Sequence, residues 1–383
     1  MNIINYTKTV FRHFEIQALI SRGVKVDRHI VVFESDDWGS IRMPSSEART
    51  RLLNKGIKLK APNTYDRVDT LASDSDLTAL MEVLNSVKDK NGNPAIMTLN
   101  CVVANPDFKK IKESGFQQYY YEPFTETLNR YPNHRHAFEY WKEGMAKGLF
   151  RPQFHGREHL NPMKWMRCLR EGDTSAMTGF EEGMFSVLCG DGRSNAFRVL
   201  DAYNIDIEED YQFQQQAITE GLRLFEQIFG FRSVTTIAPC YTWDDFTESV
   251  FLREGVRYLQ GGVFQRHSNL YSQNHHVETK RWMGQKNENN QIYLVRNCSF
   301  EPTERAVLDD SRCMREISKQ FKMHHPAVVS CHRQNFIGAL DAKNRDENLK
   351  KFQSLISNIV RQYPDVEFLS SDQLGEYLKN KIQ

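Results

Sequence analysis

Residues 30–39 read Ile30-Val31-Val32-Phe33-Glu34-Ser35-Asp36-Asp37-Trp38-Gly39. The apolar run Ile30 to Phe33 is a short buried-strand signal, and it ends in two adjacent carboxylates and a tight turn. Successive side chains of a strand point to opposite faces, so the two aspartates cannot both enter the core. Adjacent carboxylates also repel, and holding both beside one cavity is unfavourable unless a cation offsets it. A lone Asp-Asp pair commonly serves as a helix cap or turn acid. Placed after an apolar strand and before Trp38-Gly39, this pair points instead to a metal site.

Outward from this stretch, β-rich apolar runs alternate with helical patterns. Leu77, Leu80, Leu84 and Val87 recur at helical spacing, stopped by Asn91-Gly92 and Pro94. Strands are expected at 95–99, at Gln153-Phe154, at 234–237 and at Tyr258-Leu259. Further strands are expected at 292–295, 327–330 and 366–369. Ile218, Leu222, Phe225 and Phe229 mark a helix closed by Gly230, and Leu349, Phe352, Ile356 and Ile359 mark another before Pro364. Such alternation implies a parallel α/β sheet, open or closed into a barrel. Asp36-Asp37, Asn100, His155, Cys240-Tyr241 and His332 all follow strands, and in a β/α barrel the site forms at those ends.

His155-Gly156-Arg157-Glu158-His159 is the second informative stretch. Two histidines four positions apart near a strand end can address one ion. With one aspartate they make a three-ligand site that leaves positions open for water and substrate, as in catalytic metal centres. The other aspartate is then placed to take a proton from the activated water. The string also fits the His-x-x-Glu-His pattern of inverted zinc peptidases, with Glu158 as base. That pattern needs a regular helix, and Pro152, Gly156 and Pro162 oppose one.

Basic residues number 50 and acidic residues 49, so neither a nucleic-acid footprint nor a membrane-attracting field is implied. The seven cysteines (Cys101, Cys168, Cys189, Cys240, Cys298, Cys313 and Cys331) form no Cys-x-x-Cys pair and read as reduced thiols. Lys8, Arg12, His13 and Glu15 break up the N-terminus, which argues against a signal peptide, and no apolar run is long enough to span a membrane. A cytoplasmic protein is expected. Residues 1–29 should form an N-terminal helical segment and 30–383 the barrel, with insertions near 40–94 and 105–150. Within these, 40–76 and 105–150 are too long for simple connections.

The order Phe-x-Ser-Asp-Asp-Trp-Gly, His-x-x-x-His, Ala238-Pro239-Cys240-Tyr241 and Cys331-His332 resembles the motif series of the NodB-homology polysaccharide deacetylases, over about residues 30 to 332. The resemblance implies a distorted (β/α) barrel of about seven parallel strands. It also implies a metal-dependent hydrolase that removes acetyl groups from N- or O-acetylated sugars. By position, Asp36 becomes the general base, Asp37, His155 and His159 the ligands of one divalent ion, and His332 the general acid. A backbone N–H at Cys240 or Tyr241 would hold the oxyanion. A His-His-Asp set suits zinc foremost, and also cobalt, nickel or iron.

Three departures from the family pattern stand out. Glu34-Ser35 replaces the usual residues before the Asp pair, and Gly156 stands where Ser or Thr is usual. Ile237-Ala238 occupies the place of an arginine that pairs with the base. Arg157, Arg333 and Arg42 are candidates for the missing charge. The strand-end His332 could equally cap a neighbouring helix. His275-His276 and His324-His325 read as surface pairs. Tyr119-Tyr120-Tyr121, Phe124 and Trp282 could be sugar platforms but are more often core. Trp38 and Trp243 flank motif positions and are expected, with Cys240, Tyr241 and Arg333, to bind substrate. The expected partner is a carbohydrate, and an intracellular nucleotide- or lipid-linked precursor suits the expected location. The competing functions are a catalytically silent carbohydrate-binding protein on the same barrel and a metallopeptidase using Glu158.

Overall fold

The computed structural model describes residues 3–59, 65–187, 197–270 and 277–382. Its centre is a parallel sheet built from β1 (Ile30–Trp38), β2 (Met97–Cys101), β3 (Phe150–Phe154), β4 (Thr235–Ile237) and β5 (Tyr258–Gly261). It continues with β6 (Ile292–Val295), β7 (Cys298–Ser299), β8 (Ala327–His332) and the short β9 (Glu367–Phe368). Neighbours follow the order β6-β5-β4-β3-β2-β1-β8-β7, with β9 beside β1. Chain order is thus kept around the sheet, as in a β/α barrel.

The ladder breaks between β6 and β7, which only Arg296-Asn297 separates. The Arg296 N–H donates to Gly261 O at 2.9 Å, and the Asn297 N–H donates to Val328 O at 3.1 Å. These two residues therefore bond to opposite ends of the ladder. Counted as one bent strand, β6-β7 makes seven strand positions around a distorted ring. The α/β fold with a parallel sheet, expected from the alternation, is the fold observed.

Helices cover the outside: α1 (Ile3–Ser21), α2 (Asp74–Asn85), α3 (Ala137–Ala146), α4 (Asp210–Phe229) and α5 (Asp245–Arg253), then α6 (Asp310–Lys322), α7 (Ala342–Gln362) and α8 (Ser371–Lys381). A capping box of Ser73 and Asp76 starts α2, and Leu77, Leu80 and Leu84 are buried on one face. Val87 lies beyond its end. Ile218, Leu222, Phe225 and Phe229 bury one stripe of α4, which stops at the left-handed Gly230. Helices Ser46–Asn54, Phe108–Glu113 and Phe124–Arg130 and a hairpin of Ala104–Pro106 with Tyr121–Pro123 fill the long connections after β1 and β2. Among the described residues no helix is long and apolar enough to cross a membrane.

Strand alternation sorts β1. Phe33 packs against Phe352 of α7 on the outside, whereas Glu34 and Asp36 point into the ring. The interior carries a polar network: Arg296 with Glu34, Ser371 with Glu34 and Thr98, and Asn100 with Gln260. All of these side chains are buried, and the bonds among them offset the cost of removing them from water.

Candidate metal and acid–base centre

A break in β1 builds the site. Pairing with β2 shifts register between Ser35 and Trp38, and Asp37 takes a left-handed φ of 73°. This irregularity interrupts the alternation, so the adjacent carboxylates both reach the barrel mouth. Gly39 then turns the chain at φ 84°, where a Cβ would lie 2.2 Å from Val102 O, so only glycine fits.

At the end of β3 the chain leaves the sheet without forming a helix. Residue 156 has φ 109°, which explains glycine at a position where a side chain is usual in the resembling family. The loop brings His155 Nε2 to 3.4 Å and His159 Nε2 to 3.3 Å from Asp37 Oδ1. All three residues are buried, and their ligand atoms lie within 4.8 Å of one another. His155 Nδ1 donates to Ile237 O at 2.8 Å, which leaves the Nε2 lone pair facing Asp37. Burial holds His159 neutral, down to about 3. Neutral imidazole and carboxylate oxygen are the forms that bind a divalent cation. The donor set therefore fits a metal ion.

The second corner belongs to Asp36. Its Oδ1 accepts from Asn100 Nδ2 at 2.8 Å and Arg296 Nη2 at 2.6 Å, and its Oδ2 accepts from Arg296 Nη1 at 2.6 Å. Burial pushes this carboxyl up, but the Arg296 guanidinium outweighs it and holds the group at about 2. Arg296 Nε also donates to Glu34 at 2.6 Å, and Nη1 reaches the Tyr241 hydroxyl at 3.2 Å. Across the mouth, His332 Nε2 lies 3.9 Å from Asp36 Oδ2, and its Nδ1 meets Glu301 at 2.5 Å. Burial alone would favour neutral His332, but the Glu301 carboxylate raises it well above the ordinary histidine range. The pair is poised as ionised carboxylate and protonated imidazole, the complementary states of a base and an acid.

The structure brings Asp36, Asp37, His155, His159 and His332 together. Cys240 and Tyr241 stand at the same mouth, half-buried, with φ 57° and 59°. Several other expectations are corrected. Trp38 is 1% exposed, donates its indole N–H to Ser35 and packs edge-on against Trp141, so it is core. Trp243 is likewise buried and donates to Glu248. Arg333 is fully buried and pairs with Asp69 rather than with Asp36.

None of the three candidate arginines meets Asp36. Arg157 pairs with Glu158 and Glu220, Arg333 with Asp69, and Arg42 lies 3.5 Å from Asp69. The charge comes from Arg296. Glu158, the base of the peptidase reading, is turned to Arg157, and residues 155–161 form no helix. His324 is exposed but His325 is buried, contrary to a surface pair. Tyr119, Tyr120 and Tyr121 line a separate groove beside Phe213. His275, His276 and Cys189 lie outside the described residues, and the other six cysteines are free thiols.

Arg296 and Glu301 escaped the sequence reading. The signal was present: Arg296 directly follows the expected strand 292–295, the same placement that singled out Asn100 and His155.

No protein-family model matches the sequence, nor does any curated protein. Solved structures do. One described as a glycoside hydrolase/deacetylase from Parabacteroides distasonis superposes with a TM-score of 0.51 at 9% identity, over 94% of this chain and 72% of that one. Another, described as a polysaccharide deacetylase from Mycobacterium smegmatis, gives 0.43 at 10% identity, over 92% and 91%. A CE4 family pseudoenzyme from Bacillus anthracis gives 0.38 at 8% identity, over 91% and 66%. At such identities the likeness bears on the fold.

Proposed function

We propose that the protein is a metal-dependent hydrolase that removes an acetyl or other acyl group from a carbohydrate or sugar derivative. The observation that carries this reading is the single mouth where Asp37, His155 and His159 converge beside an Asp36–His332 pair. When bound there, a divalent ion, zinc foremost, supplies Lewis acidity to the acyl carbonyl and to water. Asp36 accepts the proton of the attacking water. Arg296 and Asn100 fix the orientation of that carboxylate and keep it ionised. His332, charged through Glu301, returns a proton to the departing nitrogen or oxygen.

The Tyr241 N–H donates to Ala238 O, which favours the Cys240 N–H over it for the oxyanion contact. The silent-binder alternative drew its support from a missing arginine partner for the base. Arg296 fills that role from the junction between β6 and β7, which removes the support.

The test is acetate release by the zinc-loaded protein from N-acetylglucosamine, its 1-phosphate, an N-acetylated hexosaminuronic acid and chito-oligosaccharides. Turnover is expected on at least one of them. Asp36→Asn should lower it by about two to four powers of ten, the range of acid–base groups. Sugar binding with no acyl release from any substrate contradicts the hydrolase reading.

A further inference from the structure

With Arg296 serving the base, Arg42 is released from the role the sequence offered it. It follows the Asp37 turn and is 8% exposed, yet its Nε and Nη1 have no hydrogen-bond partner. A guanidinium cannot shed its charge, so a buried one with idle donors is costly unless a ligand meets it. The nearest carboxylate, Asp69 at 3.5 Å, already accepts from Arg333 Nε at 2.7 Å and Nη2 at 3.3 Å. One carboxylate therefore faces two guanidinium groups. Asp37 attracts Arg42 more strongly than Asp69 or Asp66 does, but forms no ion pair with it.

The other ionic groups at the mouth have direct partners. Asp36 and Glu34 hold Arg296, and Glu301 holds His332. Asp37 faces the two histidines of the metal corner. Arg42 has no carboxylate of its own: Asp69 is shared with Arg333, and Asp37 is the carboxylate a bound divalent ion would draw on. The position of Arg42 is central: it lies over the Tyr65 ring at 5.2 Å, and that ring packs edge-on against His332 at 5.5 Å. Its field also reaches Asp37 and His159.

We propose that Arg42 receives an anionic oxygen group, phosphate or carboxylate, carried by the substrate beside its acyl group, so that the site selects acidic acylated sugars over neutral ones. The selection by substrate charge rests on the hydrolase reading. Anion binding by Arg42 does not.

The experiment has two arms. In the first, metal-stripped full-length protein is titrated calorimetrically with inorganic phosphate, so that the anion cannot bind through a metal. Wild type should bind, and Arg42→Gln should bind at least about tenfold more weakly, the effect of losing a charge-assisted hydrogen bond. In the second, zinc-loaded protein is assayed on N-acetylglucosamine, its 1-phosphate and an N-acetylated hexosaminuronic acid. Wild-type kcat/KM should favour at least one acidic substrate by about tenfold or more, and Arg42→Gln should bring that ratio near one, mainly through KM. Whichever acidic sugar is preferred identifies phosphate or carboxylate as the group.

Equal phosphate binding by wild type and variant, or no binding by either, overturns the proposal. So does a wild type that prefers the neutral sugar. If no substrate is hydrolysed, the hydrolase reading fails and the phosphate arm alone decides whether Arg42 binds an anion. Arg42→Lys, which keeps the charge without the planar donors, replaces Arg42→Gln if the latter does not fold, with a smaller loss expected in both arms.

Discussion

At one corner of the barrel mouth, Asp36 lies in the grip of Arg296 and Asn100, with its countercharge built into the protein. At the other, Asp37 faces two imidazoles, and among the described residues no lysine or arginine comes within ion-pair reach of it. The two residues are identical and adjacent in the chain. What differs is who supplies the positive charge. A carboxylate with its own guanidinium stays ionised without help and is suited to handling a proton. A carboxylate converging with two imidazoles is suited to a cation from outside.

The contrast can be broken most forcefully at Arg296. Arg296→Met leaves Asp36 and Glu34 buried without their partner, and the expected loss is about 3–5 kcal/mol of folding stability. Urea denaturation measures it, and a loss below about 1 kcal/mol, the scale of an exposed pair, means the network is not the buried countercharge described here.

The Glu301 carboxylate raises His332, and an acid is lost as pH climbs through its own pKa. Glu301→Gln removes the negative charge, lowers that pKa and moves the alkaline limb of the kcat/KM profile to lower pH. The shift should be about one to three units, the reach of one close charge. An unmoved limb, or one displaced upward, contradicts the assignment of His332 as acid.

The smallest effect belongs to Trp38, which stands beside the Asp pair but outside the site. Trp38→Phe deletes the bond to Ser35 and should cost about 1 kcal/mol of stability while leaving KM unchanged. A KM rise of several-fold at unchanged stability restores the platform reading.

These residues also show what the sequence made legible. The ring of strands was readable because parallel strands buried on both faces give short apolar runs, such as 292–295 and 327–330. Asp36-Asp37 and His155 to His159 were readable because their members are neighbours in the chain. Arg296 carried the strand-end signal, but its pairing with Asp36 did not show, because the two meet from 260 positions apart across a junction that only the folded ring creates. The placement of Trp38 failed for a local reason. The register shift after Ser35 and the left-handed turn at Asp37 restart the alternation and return Trp38 to the helix-facing side with Ser35. His325 shows the same limit: its neighbour His324 takes a left-handed φ of 61° and stays outside while His325 turns in.

Metal binding separates the two corners in one comparison: zinc affinity of wild type, Asp36→Asn and Asp37→Asn, by competition with a chelating dye. Wild type and Asp36→Asn should both hold zinc tightly. Asp37→Asn should bind at least about a hundredfold more weakly, beyond what loss of an outer-shell contact causes. Wild-type affinity in Asp37→Asn, or an equal loss in Asp36→Asn, contradicts the division of labour between the adjacent aspartates.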